Sequence, residues 1–151
     1  MESIGWVRSA QREMTDPETL RQGEVEIELR PELAEGLHAI SADDLVLVIY
    51  YFHLAAGKGC SLRQHPRGDT SRPQRGVFAT RSPYRPNPLG VTVARVVAVE
   101  GHRLRLRGLD AIDGTPVLDI KNHTPSFDDR DGVVPEGESL ATPPPWLFRG
   151  E

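Results

Sequence analysis

The sequence holds one cysteine, Cys60, among its 151 residues. A lone thiol cannot close an internal disulfide, and the compartment to be expected from it is the cytoplasm. Long apolar runs are missing too. The longest, Leu45 to Phe52, falls far short of the roughly 18 residues that cross a bilayer as a helix, so no membrane partner is expected. The opening residues Met1 to Trp6 have neither the basic start nor the apolar stretch of a secretory signal. Several catalytic signatures are absent. There is no Walker loop, no GxGxxG and no GxSxG elbow. His38, His53, His65, His102 and His123 are scattered and Cys60 lacks a CxxC partner, so no metal site is expected.

What is present fits one core-forming domain. Hydrophobic residues make up 38% and charged residues 26%, the balance of a globular chain. The net charge is −4, which argues against a nonspecific nucleic-acid binder. The charge is uneven, however. From Lys58 to Arg85 the basic residues Lys58, Arg63, Arg67, Arg72, Arg75, Arg81 and Arg85 are opposed only by Asp69. That segment reads either as a solvated loop or as a site for an anionic ligand such as RNA backbone. The tail carries the reverse bias, and residues 131–151 read as an acidic, proline-rich extension of a domain at residues 1–130.

Periodicity is mainly that of strands. Val25, Ile27 and Leu29 alternate with Glu24, Glu26 and Glu28, and Leu104 and Leu106 alternate with Arg103, Arg105 and Arg107. Leu45 to His53 is continuously apolar and β-branched, as a central strand is. Val91 to Val99 reads as a strand paired with Arg103 to Leu109 through a turn at Glu100-Gly101-His102. Shorter strands are expected at Gly76 to Thr80 and Val117 to Ile120. Leu33, Ala34, Leu37 and Ile40 fall at helical spacing behind Pro31 and predict a short helix. Ala55 to Gln74 reads as a long loop. The pattern is that of a β-barrel or sandwich with one or two short helices and long loops.

Two segments carry candidate chemistry. In Arg81-Ser82-Pro83-Tyr84-Arg85-Pro86-Asn87-Pro88, three prolines stiffen an extended loop. Such a loop presents the guanidinium groups of Arg81 and Arg85 to a carboxylate or phosphate, with the Asn87 amide beside them. The alternative is a structural corner between strands. The second segment, Leu109 to Lys121, contains Asp113-Gly114-Thr115-Pro116, which is first of all a turn signature. A carboxylate there can also hold ribose hydroxyls or an ammonium group. Asp119 and Lys121 share a strand face and can pair with each other or with Arg81 or Arg85. His53 ends the apolar strand, and position alone gives it no catalytic role.

The runs Phe78 to Pro83, Arg85 to Gly90 and Asp113 to Lys121, with Tyr50-Tyr51-Phe52-His53 and an opening Ile4-Gly5…Arg8-Ser9, resemble the tRNA methyltransferase O family. The resemblance runs from about Ile4 to Asp128. It implies a mainly β fold, a small closed β-barrel, acting as a homodimer with S-adenosylmethionine near the subunit interface. It implies methylation of the exocyclic amine of threonylcarbamoyladenosine beside the tRNA anticodon, with tRNA as partner. It places cofactor contacts at His53, Leu54, Arg81, Val91, Ala111, Ile112, Asp113 and Gly114, with Ser82, Arg85, Asn87 and Thr115 in the same pocket. Arg63, Arg67, Lys121 and His123 are candidate substrate contacts. The chain departs from the family at Lys121-Asn122-His123, where Lys-Pro-Tyr is usual, and between Arg12 and Gln22. A different RNA or small-molecule acceptor, or a non-catalytic S-adenosylmethionine sensor, are the competing readings.

Overall fold

The computed structural model of the chain describes residues 1–124 and Asp128, so the expected tail at 131–151 lies outside the described residues. Six strands close a barrel: β1 (Gly5–Arg8), β2 (Glu24–Leu29), β3 (Leu45–Tyr51), β6 (Leu89–Glu100), β7 (Arg103–Arg107) and β8 (Pro116–Asn122). Their order around the barrel is β1-β2-β7-β6-β3-β8. All neighbouring pairs are antiparallel. A separate two-stranded piece pairs β4 (Arg63–Gln64) with β5 (Arg75–Gly76).

Alternation builds this barrel directly. Val25, Ile27, Leu29, Leu104 and Leu106 point inward and are buried, with Ile27, Leu104 and Leu106 at 0% exposure. Val7, Val46, Val48, Val96 and Val117 fill the rest of the interior. Burying each of these large side chains contributes about 1.5–3 kcal/mol. The outward residues of β2 and β7 meet as opposite charges: Glu24 lies across from Arg107, Glu26 from Arg105 and Glu28 from Arg103. Arg107 and Glu24 approach to 2.7 Å, and Arg8 reaches Glu28 at 3.0 Å. Such exposed pairs add little energy each, because water screens them, but they mark which face is wet. Gly5 is required where β1 enters, because a Cβ there would run into the backbone of Glu28 and Leu29.

The structure corrects several expectations. The helix expected at Pro31 to Ile40 is a 3-10 turn over Pro31–Leu37 in which only Leu37 is buried. Seven residues with Gly36 inside cannot sustain an α-helix against one anchored side chain. The strand expected at Gly76 to Thr80 is the end of β5 followed by a 3-10 turn, Val77–Ala79. The loop at Ala55 to Gln74 contains β4 and a turn over Pro66–Gly68. The helix α1 (Pro17–Gln22) was not expected at all. The other strands match their sequence patterns within one to three residues.

Candidate functional site

A cleft of about 1230 Å³ opens at one mouth of the barrel. Five segments wall it. The end of β3 gives Tyr50, Phe52, His53 and Leu54, and the loop after β7 gives Asp110, Ala111, Ile112 and Thr115. Residues 14–17 and α1 supply Asp16, Leu20 and Arg21. The long loop, with the start of β5 at its end, brings Lys58, Arg63, Arg67 and Arg75, and the proline loop brings Ala79 to Tyr84. The arginine loop and the residues flanking the aspartate–glycine turn, Ile112 and Thr115, share this one cavity, whereas Asp113 and Gly114 are not among its walls.

The cleft floor is a polar network rooted in the core. Tyr50 is 2% exposed and its ring packs edge-on against Phe52, with centroids 5.3 Å apart. Gly90 makes room for these rings, since a Cβ there would overlap both. The Tyr50 hydroxyl donates to Asp110 Oδ1 at 3.0 Å and lies 3.2 Å from the Thr92 hydroxyl. Thr92 donates to the same Asp110 oxygen. Arg21 Nη2 donates to Asp110 Oδ2 at 3.0 Å. Burial, and then the negative charge of Asp110, push the Tyr50 hydroxyl well above the usual tyrosine range. It is therefore a fixed neutral donor at ordinary pH.

Sequence reasoning missed Asp110 and Arg21. Asp110 pairs with Arg21 across 89 positions and with Tyr50 across 60, which no local pattern displays. One signal was available. Asp110 is the only polar residue between Leu109 and Ala111-Ile112, all buried, so its neighbours draw it into the barrel mouth. Asp113, singled out instead, accepts from the Ser9 backbone N–H at 3.0 Å and does not line the cleft. Its own N–H donates to the Gln11 carbonyl, and Gly114 donates to Val7. That turn seals the end of β1.

The other candidates divide. His53, Leu54, Arg63, Arg67, Arg81, Ser82, Ala111, Ile112 and Thr115 all face the cleft. Arg81 is exposed and donates to the Val91 carbonyl at 3.4 Å. Arg67 sits at a left-handed backbone position, φ 56°. Arg85 turns back onto its own loop, donating to the carbonyls of Thr80 and Ser82. The Asn87 carbonyl accepts from Leu89 at 2.7 Å, and the Asn87 side chain is outside the cleft. Val91 points outward from β6, 42% exposed. Lys121 pairs with Asp119 at 3.1 Å, and the His123 N–H donates to the Leu45 carbonyl. Both lie at the end of β3 opposite Tyr50 in the strand register, away from the cleft. Among the described residues no group of acidic, cysteine and histidine side chains is arranged to hold a metal.

A closed antiparallel barrel with a basic-walled loop cleft at one mouth and a hydroxyl–carboxylate–guanidinium floor defines a class of ligand-binding barrels rather than a doubly wound nucleotide fold. Within that class the comparison with known proteins is specific. A family model described as the tRNA-methyltransferase O N-terminal domain matches residues 9–129, and the chain belongs to this family. The S-adenosyl-L-methionine-binding protein of Archaeoglobus fulgidus is 41% identical over 133 residues, covering 85% of this chain and 91% of that protein. A probable S-adenosyl-L-methionine-binding protein of Pyrococcus abyssi is 44% identical over 107 residues, covering 71% of this chain and 56% of that protein. The crystal structure of TrmO from Pseudomonas aeruginosa superposes with a TM-score of 0.67 at 34% identity, covering 95% of this chain and 63% of that one. The chain thus spans a little over half the length of some of the relatives it matches.

Proposed function

We propose that this chain is an S-adenosylmethionine-dependent tRNA methyltransferase, acting on the exocyclic amine of threonylcarbamoyladenosine beside the anticodon. The observation that carries the reading is the cleft itself, which joins a fixed polar floor at Tyr50, Thr92 and Asp110 to a wall of Lys58, Arg63, Arg67, Arg75 and Arg81. A human relative, 41% identical over 90 residues that cover 59% of this chain and 20% of that protein, is named tRNA (adenine(37)-N6)-methyltransferase, which supports the N6 position of a tRNA adenine as the site of transfer. The donor set fits the cofactor: apolar surface at Leu54, Ala111 and Ile112 for an adenine, carboxylate and guanidinium groups for charged ends, and no need for a metal.

When bound, S-adenosylmethionine supplies an activated methyl group on a sulfonium. The protein's part is placement, which can supply about 7–11 kcal/mol of barrier reduction where two reactants must meet. His53, Leu54, Arg81, Ser82, Ala111, Ile112 and Thr115 line the cofactor side. Arg63 and Arg67 face the RNA, where each guanidinium neutralises a phosphate. Arg85, Asn87, Asp113 and Gly114 hold the loop and the turn in shape, and Val91 holds Arg81 through its carbonyl. The whole assembly is read as a homodimer, supported by the outward apolar row Leu89, Val91 and Val93 on β6.

The deciding experiment incubates the protein and S-adenosylmethionine with tRNA that carries the threonylcarbamoyl group, then measures nucleosides by mass spectrometry. A mass increase of one methyl on that nucleoside is expected. Cofactor binding without transfer to any RNA would leave a sensor instead, and transfer to a different nucleoside would reassign the acceptor.

A further inference from the structure

Asp110 and Arg21 form the one ion pair among the described residues whose two members both line the cleft. The pair is built, not incidental. Tyr50 and Thr92 are 2% and 5% exposed, and both direct their hydroxyls at Asp110 Oδ1 from inside the barrel. One carboxylate oxygen is thereby locked to the core. The other, Oδ2, accepts from Arg21 Nη2 at 3.0 Å. Arg21 sits near the end of α1, a helix with no buried residue, so packing does not dictate where its guanidinium lies.

Valence counting leaves room for a ligand. A carboxylate accepts about four hydrogen bonds, and Asp110 receives three. A guanidinium offers five N–H donors, and Arg21 uses one. A negative and a positive group, side by side and each with unused capacity facing one cavity, match a ligand end that carries an ammonium and a carboxylate on the same carbon. Neither a phosphate nor an adenine presents that combination.

We infer that Asp110 and Arg21 together bind the amino-acid end of S-adenosylmethionine, Asp110 taking the ammonium and Arg21 the carboxylate. The inference rests on the cofactor reading above. Tyr50 and Thr92 are positioning residues for it, because they fix the direction of the Asp110 carboxylate without reaching the ligand themselves.

Calorimetry with three ligands tests this without any turnover. S-adenosylmethionine and S-adenosylhomocysteine share the amino-acid end, whereas 5′-methylthioadenosine lacks it and keeps the nucleoside. Asp110→Asn and Arg21→Gln are each expected to weaken the first two by roughly tenfold or more, the loss of one charge-assisted hydrogen bond. Binding of 5′-methylthioadenosine should stay within about twofold of the unaltered protein. Weakening of S-adenosylmethionine alone would place Asp110 at the sulfonium and overturn the assignment. Equal weakening of all three, or of none, would overturn it as well. Arg21→Gln alters an exposed helix and keeps the test valid if Asp110→Asn unfolds. If the unaltered protein binds none of the three ligands, the cofactor reading itself falls, which is a separate and recognisable result.

Discussion

Tyr50 stands where the barrel core becomes the cleft floor, and its hydroxyl is the hinge between stability and recognition. Replacing it with phenylalanine keeps the ring and removes one donor from Asp110 and one partner from Thr92. Tyr50→Phe should cost about 1–2 kcal/mol, read as a lowered urea midpoint at neutral pH. The raised ionisation adds a sign. Above the ordinary tyrosine value of 10.0 the unfolded chain releases this proton while the native protein keeps it, so native stability falls as pH rises. Urea midpoints between about pH 8 and about pH 11 should decline more steeply in the unaltered protein than in Tyr50→Phe. Parallel curves would disprove the link. Asp113 gives the contrasting case. Its carboxylate holds the Ser9 N–H, so Asp113→Ala should cost about 1–2 kcal/mol in unfolding free energy. An unchanged midpoint with weakened ligand binding would instead give Asp113 the direct contact that its motif suggests. The sequence marked Asp113 because an aspartate–glycine pair is a local signal. It passed over Asp110 because that residue's partners come from α1, β3 and β6.

At the scale of elements, alternation made the strands legible and its lack hid the helix. Glu24 to Leu29 and Arg103 to Arg107 each show one wet and one dry face, and both are strands. Residues 17–22 have no apolar stripe to read, because α1 buries nothing. Its visible signal was the cap, Asp16 followed by Pro17. Asp16 accepts from the Glu18 N–H at 2.9 Å and from the Thr19 N–H at 3.3 Å. Its hydrogen bonds, led by that from the Thr19 hydroxyl, hold its carboxyl below the ordinary value of 3.8. A depressed carboxylate stabilises above its unfolded value and ceases to do so as pH falls through the folded one. Asp16→Ala, or acid below about pH 4, should therefore loosen α1 while the barrel persists. Hydrogen exchange should quicken at residues 18–21 and stay slow in β3 and β7. Because α1 carries Arg21, Asp16→Ala should also weaken whatever Arg21 holds. Uniform exchange across both regions would mean that α1 and the barrel unfold as one.

At the scale of the molecule, closure of the barrel decides how two copies can meet. Every strand of the barrel is paired on both sides, so the barrel itself offers no edge for another chain to extend. Two barrels that associate therefore use a face. The β2–β7 face is covered by paired charges, whereas the β3–β6 face is apolar. Leu89, Val91 and Val93 are 41%, 42% and 38% exposed, and across from them lie Tyr51, Ile49 and Leu47. Arg81, on the cleft wall, bonds the Val91 carbonyl, so this face adjoins the site. A homodimer formed here would set each cleft beside the partner subunit, which suits the tRNA substrate proposed for this chain. Val93 closes the apolar row at the end away from Leu89, opposite Leu47. Val93→Glu would place a charge where pairing must exclude water, at little cost to the barrel because the side chain points outward. At about 10 µM the unaltered protein should sediment as a dimer and Val93→Glu as a monomer with the same circular dichroism spectrum. A dimer that survives Val93→Glu would move the interface to another face, and an unaltered protein that stays monomeric would remove the homodimer from the functional reading.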